Sequence, residues 1–461
     1  MHKILLLSGN TKSAFLIQRI VAEGCEARIL CRDSGQALDN LVDFCTTPQE
    51  ALEWEPDLIL VDTPGFGPIV KRFREAGIPV IGGGSFSDRM DSNHLAALNF
   101  AEASGIPTTE YEEFDDVADA SEYVHGKDQP WAMIWGDGQQ QSFMTATDLQ
   151  MHLEKIDAEG ATPTRFALMR DYPVFTAPHQ KENNVYCCEM SITTQFVIAG
   201  FVNPRGVMDP CFGFKVCEGL MDDHQGIYTI EGLTMFKVPL ANSVPQLMLV
   251  PLAESLNKLS YQGPVFVGCV VEPPSRMNNY ESRIAAHRVS LTPPPGFWAA
   301  FTKGLEMSLV YFLDRLVNPT RPRTPFEWTS SYVTARKLSV PPYPMTEAPW
   351  LEPSQRAELA KFLPDLTLPP VDTVYWNGVR MNGVGFKLVS PVAGYVTGKG
   401  ESYMESLDAV RNEIRSLRVP WVQARLSPET TFELDMAALQ WPAVRQLEEM
   451  EEEEEEVETV G

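Results

Sequence analysis

The stretch from Val80 to Phe114, VIGGGSFSDRMDSNHLAALNFAEASGIPTTEYEEF, sets the tightest limit on how this chain folds. Val80 and Ile81 close a strand, Gly82 to Gly84 make a turn, and Asp91 or Ser92 opens a helix. Leu95, Ala96, Leu98, Phe100 and Ala103 give that helix one apolar face, and Gly105-Ile106-Pro107 stops it before a second short strand. The pattern marks a joint. A small parallel α/β unit is expected before it and a larger α+β body after it.

In the first unit, Lys3 to Leu7 is a continuous apolar run ending in Ser8-Gly9-Asn10, and Ser13 to Glu23 has helical periodicity. Strands follow at Arg28–Cys31, Leu58–Asp62 and Pro79–Ile81, with helices at Pro48–Trp54 and Gly67–Ala76 between them. Such alternation predicts a doubly wound parallel sheet, whose ligands sit at the carboxyl ends of the strands. Gly9, Asn10, Lys12 and Asp62 to Gly65 fall on that edge. Ser8 to Ser13 lacks the spacing of a phosphate-binding P-loop and reads as a plain strand-to-helix turn.

At 461 residues the chain exceeds one core, and a hydrophobic content of 44% with nine Trp fills several. The net charge of −25 disfavours nucleic acid and anionic membranes as partners. Part of that charge is the run from Glu448 to Glu458, expected to be a solvated, disordered tail over 447–461 and open to a protein partner. The apolar start is too short for a signal peptide, and no window reaches eighteen apolar residues. The eight cysteines lack paired metal spacing and read as reduced core thiols, which suits a cytoplasmic protein.

Beyond the joint, Val117 to Tyr172 reads as a small module of helix, strand Trp131–Trp135, turn Gly136-Asp137-Gly138, helix Ala146–Ile156 and strand Arg165–Met169. Antiparallel strands are expected from Tyr186 to Phe201, a glycine-dotted loop over 207–228, a helix at Leu247–Lys258 and a buried strand at Pro264–Glu272. Leu305–Val317 reads as one long helix, 318–369 as a proline-rich connection and 370–446 as a C-terminal domain with a helix at Tyr403–Leu417.

The order of the Ala76-Gly77-Ile78-Pro79-Val80 turn, the glycines, the helix, Gly105-Ile106-Pro107-Thr108 and Tyr111-x-x-Phe114 resembles the ATP-grasp enzymes, and among them the phosphoribosylamine–glycine ligases. Gly394-Tyr395 and the following helix resemble their C-terminal domain. The resemblance implies an N-terminal α/β substrate domain (1–90), an ATP-grasp body (91–317, small subdomain near 117–172) and a small C-terminal α+β domain. It also implies an ATP-dependent carboxylate–amine ligase of the kind used in purine biosynthesis, working through an acyl phosphate with ATP and Mg²⁺. Its substrates would be an amino acid and an amine or phosphosugar amine.

Carried over by position, the nucleotide contacts fall on His94, Trp135, Asp137 and Gly138 and the metal ligand on Glu281. Arg283 falls on the family's metal-binding asparagine and Ala285 on its arginine, so Arg283 is the candidate catalytic residue as a phosphate counter-charge in part place of a metal ion. The substrate loop falls on Gly9, Asn10 and Lys12. Several cations of the family pattern are replaced: Trp135 and His94 stand at lysine positions, and Gln139-Gln140-Gln141 replaces a glycine-rich, lysine-bearing loop. Phosphoryl transfer needs such charge. Two further readings therefore stay open, a non-catalytic binding or scaffolding protein with Trp135 filling the pocket floor, and an acidic assembly subunit.

Overall fold

The computed structural model describes residues 3–428 apart from 10, 33–36, 40, 110, 128–130, 136–139, 144, 161–165, 171–193, 219, 221–228, 273–282, 319–325, 329–331, 349–350, 369–372, 384 and 418–420. Asn10, Asp137, Gly138, Glu281 and the glutamate-rich tail lie outside the described residues. In the first unit β1 (Lys3–Ser8), α1 (Phe15–Ala22), β2 (Glu26–Cys31), β3 (Asp43–Cys45), α2 (Pro48–Glu53), β4 (Leu58–Val61), α3 (Gly67–Glu75) and β5 (Val80–Ile81) alternate as the apolar runs predict. Every pair is parallel, in the order β3-β2-β1-β4-β5. Leu7 lies opposite Val61, so the loops after β1 and β4 share one edge, where Ser8 Oγ donates to Asp62 Oδ2 at 2.9 Å.

The turn at the joint requires glycine. Gly82, Gly83 and Gly84 have φ of 74°, 60° and 121°. Gly82 N donates to the Gln262 carbonyl at 2.6 Å, and a Cβ on Gly263 would stand 2.6 Å from Gly82 N. The first unit therefore touches the body backbone to backbone.

The helix expected to open at Asp91 or Ser92 is two helices, α4 (Ser85–Ser92) and α5 (His94–Ala103). Asn93 divides them: its backbone is extended (φ −132°, ψ 100°) and its side chain caps α5 by accepting from Ala96 N at 2.9 Å. Asn93→Ala should cost about 1 kcal/mol in denaturant unfolding, as losing such a cap does. An unchanged midpoint would mean that Asp91 alone holds the break.

The small module is β6 (Tyr111–Phe114), α6 (Val117–Val124), β7 (Trp131–Trp135), β8 (Gln140–Phe143), α7 (Ala146–Ala158) and β9 (Phe166–Arg170). Its antiparallel sheet runs β6-β9-β7-β8. Val117, Ala120, Val124, Leu149 and Leu153 bury the two helices against it.

The body comprises β10 (Thr194–Asn203), β11 (Gly206–Val207), β12 (Cys211–Glu218), β13 (Ile230–Val238), α8 (Ser243–Met248), α9 (Val250–Lys258), β14 (Gly263–Glu272), β15 (Arg283–Ser290), α10 (Phe297–Gly304) and α11 (Leu309–Val317). After it come β16 (Tyr332–Ser339), α12 (Pro353–Leu359), β17 (Thr367–Leu368), β18 (Val374–Trp376), β19 (Val379–Asn382), β20 (Gly385–Leu388), β21 (Val392–Gly400) and α13 (Tyr403–Leu417). One nine-stranded sheet spans β15-β14-β10-β12-β13-β16-β21-β18, with β11 on β10.

Several expectations need correcting. The loop expected over 207–228 contains β12, and the connection expected over 318–369 contains β16, an interior strand of the sheet. The helix expected at 247–258 is broken after Met248, where Pro251 starts a new first turn. The helix expected at 305–317 begins at Leu309 and follows a separate α10, whose residues are buried all round except Lys303.

Phe201, Phe297, Phe301, Phe312 and Phe326 pack around α10 with ring centroids 4.9 to 6.3 Å apart. Each fully buried ring contributes about 2 kcal/mol. The C-terminal residues also clamp the first unit: Thr11 Oγ1 donates to the Asn377 carbonyl at 3.0 Å, and Asn377 Nδ2 donates to the Lys12 carbonyl at 3.2 Å.

Candidate functional site

Two cavities lie where the units meet, and both are walled by the segment from Thr292 to Pro295. The larger, about 370 Å³, sits on the aromatic face of the nine-stranded sheet. Phe214 and Phe266 line it together with buried Lys215 and exposed Arg288. Register explains the convergence: Val197 of β10 pairs with Phe214 of β12 and with Gly268 of β14, and Gly268 pairs with Arg288 of β15.

His287 also lines this cavity. Its ring is hydrogen-bonded to the Gly268 backbone, while its Nδ1 has no partner among the described residues. Burial, helped by the charge that His94 and Arg288 would add beside it, pulls its pKa down to about 3. The His287 carbonyl lies 2.7 Å from His94 Nε2, and burial with nearby Arg288 lowers His94 to about 4. Both rings are neutral at pH 7, so His94 carries no charge toward a phosphate.

Asp91 anchors the wall. Its carboxylate accepts from Ser290 Oγ at 2.7 Å, Leu291 N at 2.9 Å and Thr292 Oγ1 at 2.6 Å. Burial raises its pKa against the pull of those donors.

The smaller cavity, about 190 Å³, lies at the carboxyl edge of the first sheet, between Lys12, Asp62, Trp298 and Tyr395. Gly9 stands beside it, its N–H donating to Thr63 Oγ1 at 2.6 Å. Asp62 is buried, with its pKa raised to about 6 by desolvation, while hydroxyls of Thr63, Ser8 and Ser13 pull it back.

The structure thus brings Gly9 and Lys12 together at one cavity and sets His94 behind the other. Trp135 ends β7 opposite Phe166, and Arg283 starts β15 opposite Glu272; only their backbone positions are described. Among the described residues no group of three or more His, Cys, Asp or Glu could hold a metal ion, so the magnesium reading rests on Glu281. Nor is any helix among them long and apolar enough to cross a membrane. Sequence reading missed Asp91, Lys215, His287, Trp298 and Tyr395 as site residues; the Pro293-Pro294-Pro295 run after a strand was the available signal.

No family model matches the chain. A phosphoribosylamine–glycine ligase of Archaeoglobus fulgidus is 28% identical over 138 residues, 30% of this chain and 27% of that protein's length. Among solved structures, the phosphoribosylamine–glycine ligase of Thermotoga maritima superposes with a TM-score of 0.62 over 92% of this chain and 99% of its own, at 13% identity. Biotin carboxylase from Campylobacter jejuni, in a β,γ-ATP complex, gives 0.60 over 92% and 93% at 10% identity. N5-carboxyaminoimidazole ribonucleotide synthetase in an ADP complex gives 0.53 over 90% and 96% at 11% identity.

Proposed function

Starting from the ATP-grasp fold that this chain shares with these ligases and carboxylases, we propose that it is an ATP-dependent carboxylate–amine ligase related in architecture to phosphoribosylamine–glycine ligase. The observation that carries this reading is the pair of adjoining cavities behind one wall, Thr292 to Pro295. A ligase must bring an activated carboxyl and an amine together away from water.

The larger cavity suits a nucleotide: apolar rings offer a base its faces, and Lys215 and Arg288 offer phosphates two cations. ATP, when bound, supplies the phosphoryl group that activates a carboxylate. Lys215 and Arg288 hold and neutralise phosphate oxygens, and His287 Nδ1 accepts from a ligand N–H or O–H. His94 acts through its contact with the His287 backbone, as a positioning residue. Arg283, Asp137 and Gly138 belong to the nucleotide end, Glu281 to a magnesium ion, and Gly9, Asn10 and Lys12 to the second substrate.

Calorimetric titration with ATP and magnesium tests the reading. Micromolar binding is expected, and Lys215→Met and Arg288→Ala should each weaken it about tenfold, the loss of one charge-assisted contact. Glu281→Gln should remove the magnesium dependence. The neutrality of His94 favours a second reading, a binding protein without catalysis. Absence of binding up to millimolar ATP would select it.

A further inference from the structure

The smaller cavity carries an unused set of polar groups. Trp298 and Tyr395 both line it, are 2% and 1% exposed, and each keeps a polar atom, the indole Nε1 and the phenol oxygen, without a partner among the described residues. An indole N–H only donates, and buried donors in folded proteins are nearly always matched. Two donors unmatched among the described residues leave the cavity open to an oxygen acceptor from outside the chain.

Asp62 supplies the complementary end. It is 7% exposed, and its partners are neutral donors, its own backbone N–H and the hydroxyls of Ser8 (Oγ at 2.9 Å), Thr63 (Oγ1 at 2.5 Å) and Ser13. A buried carboxylate held by neutral donors gains most from a cation, and it repels a phosphate.

The cations nearby are poorly placed to compensate a phosphate. Lys12 is solvent-exposed at the rim. Arg32 donates to the Pro64 carbonyl at 2.8 Å and lies over the Phe66 ring. Lys337, the strand partner of Tyr395, is taken up by Tyr343 and Glu231.

We propose that this cavity binds a compact, unphosphorylated amine carrying an oxygen acceptor, its ammonium on Asp62 and its oxygen between Trp298 Nε1 and Tyr395 OH. That this amine is the ligase's second substrate rests on the function proposed above; its binding in the cavity does not. The resemblance to phosphoribosylamine–glycine ligases implies a phosphosugar amine at this edge, so the cavity has changed its ligand class.

The test follows the Trp298 indole signal of the full chain by ¹H–¹⁵N correlation without nucleotide, assigned through its loss in Trp298→Phe. Glycinamide, which has an ammonium and a carbonyl, should shift the signal saturably, and ribose 5-phosphate should leave it in place. Asp62→Asn and Tyr395→Phe should each weaken glycinamide about tenfold, as for one lost polar contact. Tyr395→Phe removes a hydroxyl without a partner among the described residues, so it should melt with the parent and its weaker binding reports the cavity. A shift by ribose 5-phosphate alone, no shift by either compound, or glycinamide binding that survives both substitutions overturns the proposal. ATP binding in the larger cavity is read separately by calorimetry, so either conclusion can fail alone.

Discussion

Lys337→Ala should destabilise the chain by about 3–5 kcal/mol, the usual cost of leaving a buried charge without its partner. The charge left behind is Glu231, which is fully buried. Its Oε1 accepts from Thr229 Oγ1 at 2.6 Å and from Tyr343 OH, and lies 3.6 Å from Lys337 Nζ. Lys337 Nζ also donates to Tyr343 OH at 2.7 Å. Burial pulls the Lys337 pKa below its ordinary value despite Glu231 beside it, so desolvation outweighs the attraction of the pair.

Breaking this pair should therefore be expensive and replacing it inexpensive. Lys337→Met combined with Glu231→Leu should regain most of the loss in denaturant unfolding, because neither residue then leaves an unpaired charge. If the double variant is as unstable as Lys337→Ala, the loss lies in packing and the ion-pair account is wrong. The cluster also bears on the site, since Lys337 and Tyr395 are register partners on β16 and β21 and Tyr395 walls the smaller cavity.

The same strand shows where sequence reading stopped. Tyr332 to Ser339 reads YVTARKLS, and the prolines on both sides of it set it within a proline-rich connection over 318–369. In the fold its Arg336 and Lys337 are buried, because β16 lies inside the sheet between β13 and β21. α10 was hidden for a different reason: buried all round but for Lys303, Phe297 to Gly304 has no polar face to give it a period. The first sheet was legible because runs such as Lys3 to Leu7 end in clear turn signals.

For the site, local sequence gave the loop of Gly9 and Lys12. It could not give Lys215 with Arg288, which meet through the pairing of β12, β10, β14 and β15. Trp298 and Tyr395 lie 97 residues apart and become neighbours only when α10 packs on the sheet carrying β21.

Acidification should loosen the seam between α5 and β15. His94 and His287 have pKa values lowered to about 4 and about 3, against an ordinary 6.5. Below pH 6.5 the unfolded chain takes up protons that the folded chain resists, so stability is greatest above 6.5 and falls as pH drops toward 4. The His94 depression, about 2.5 pKa units, corresponds to about 3 kcal/mol. Two rings do not double this, because they stand together and charging one opposes charging the other. Asp62 works the other way: its raised pKa favours the folded state as pH falls through about 6.

The histidine contribution is therefore isolated by comparing variants. Denaturant unfolding of the parent, His287→Gln and Asp62→Asn between pH 7.5 and 4.5 should show the shallowest acid loss in His287→Gln and the steepest in Asp62→Asn. Equal slopes in the parent and His287→Gln would mean that the imidazole titrates as in water and does not hold the seam in neutral form. The ordering matters for the site, because the strand that His94 braces carries Arg288 into the larger cavity. Protonating the pair would shift that cation, so nucleotide affinity should fall across the same pH interval as stability.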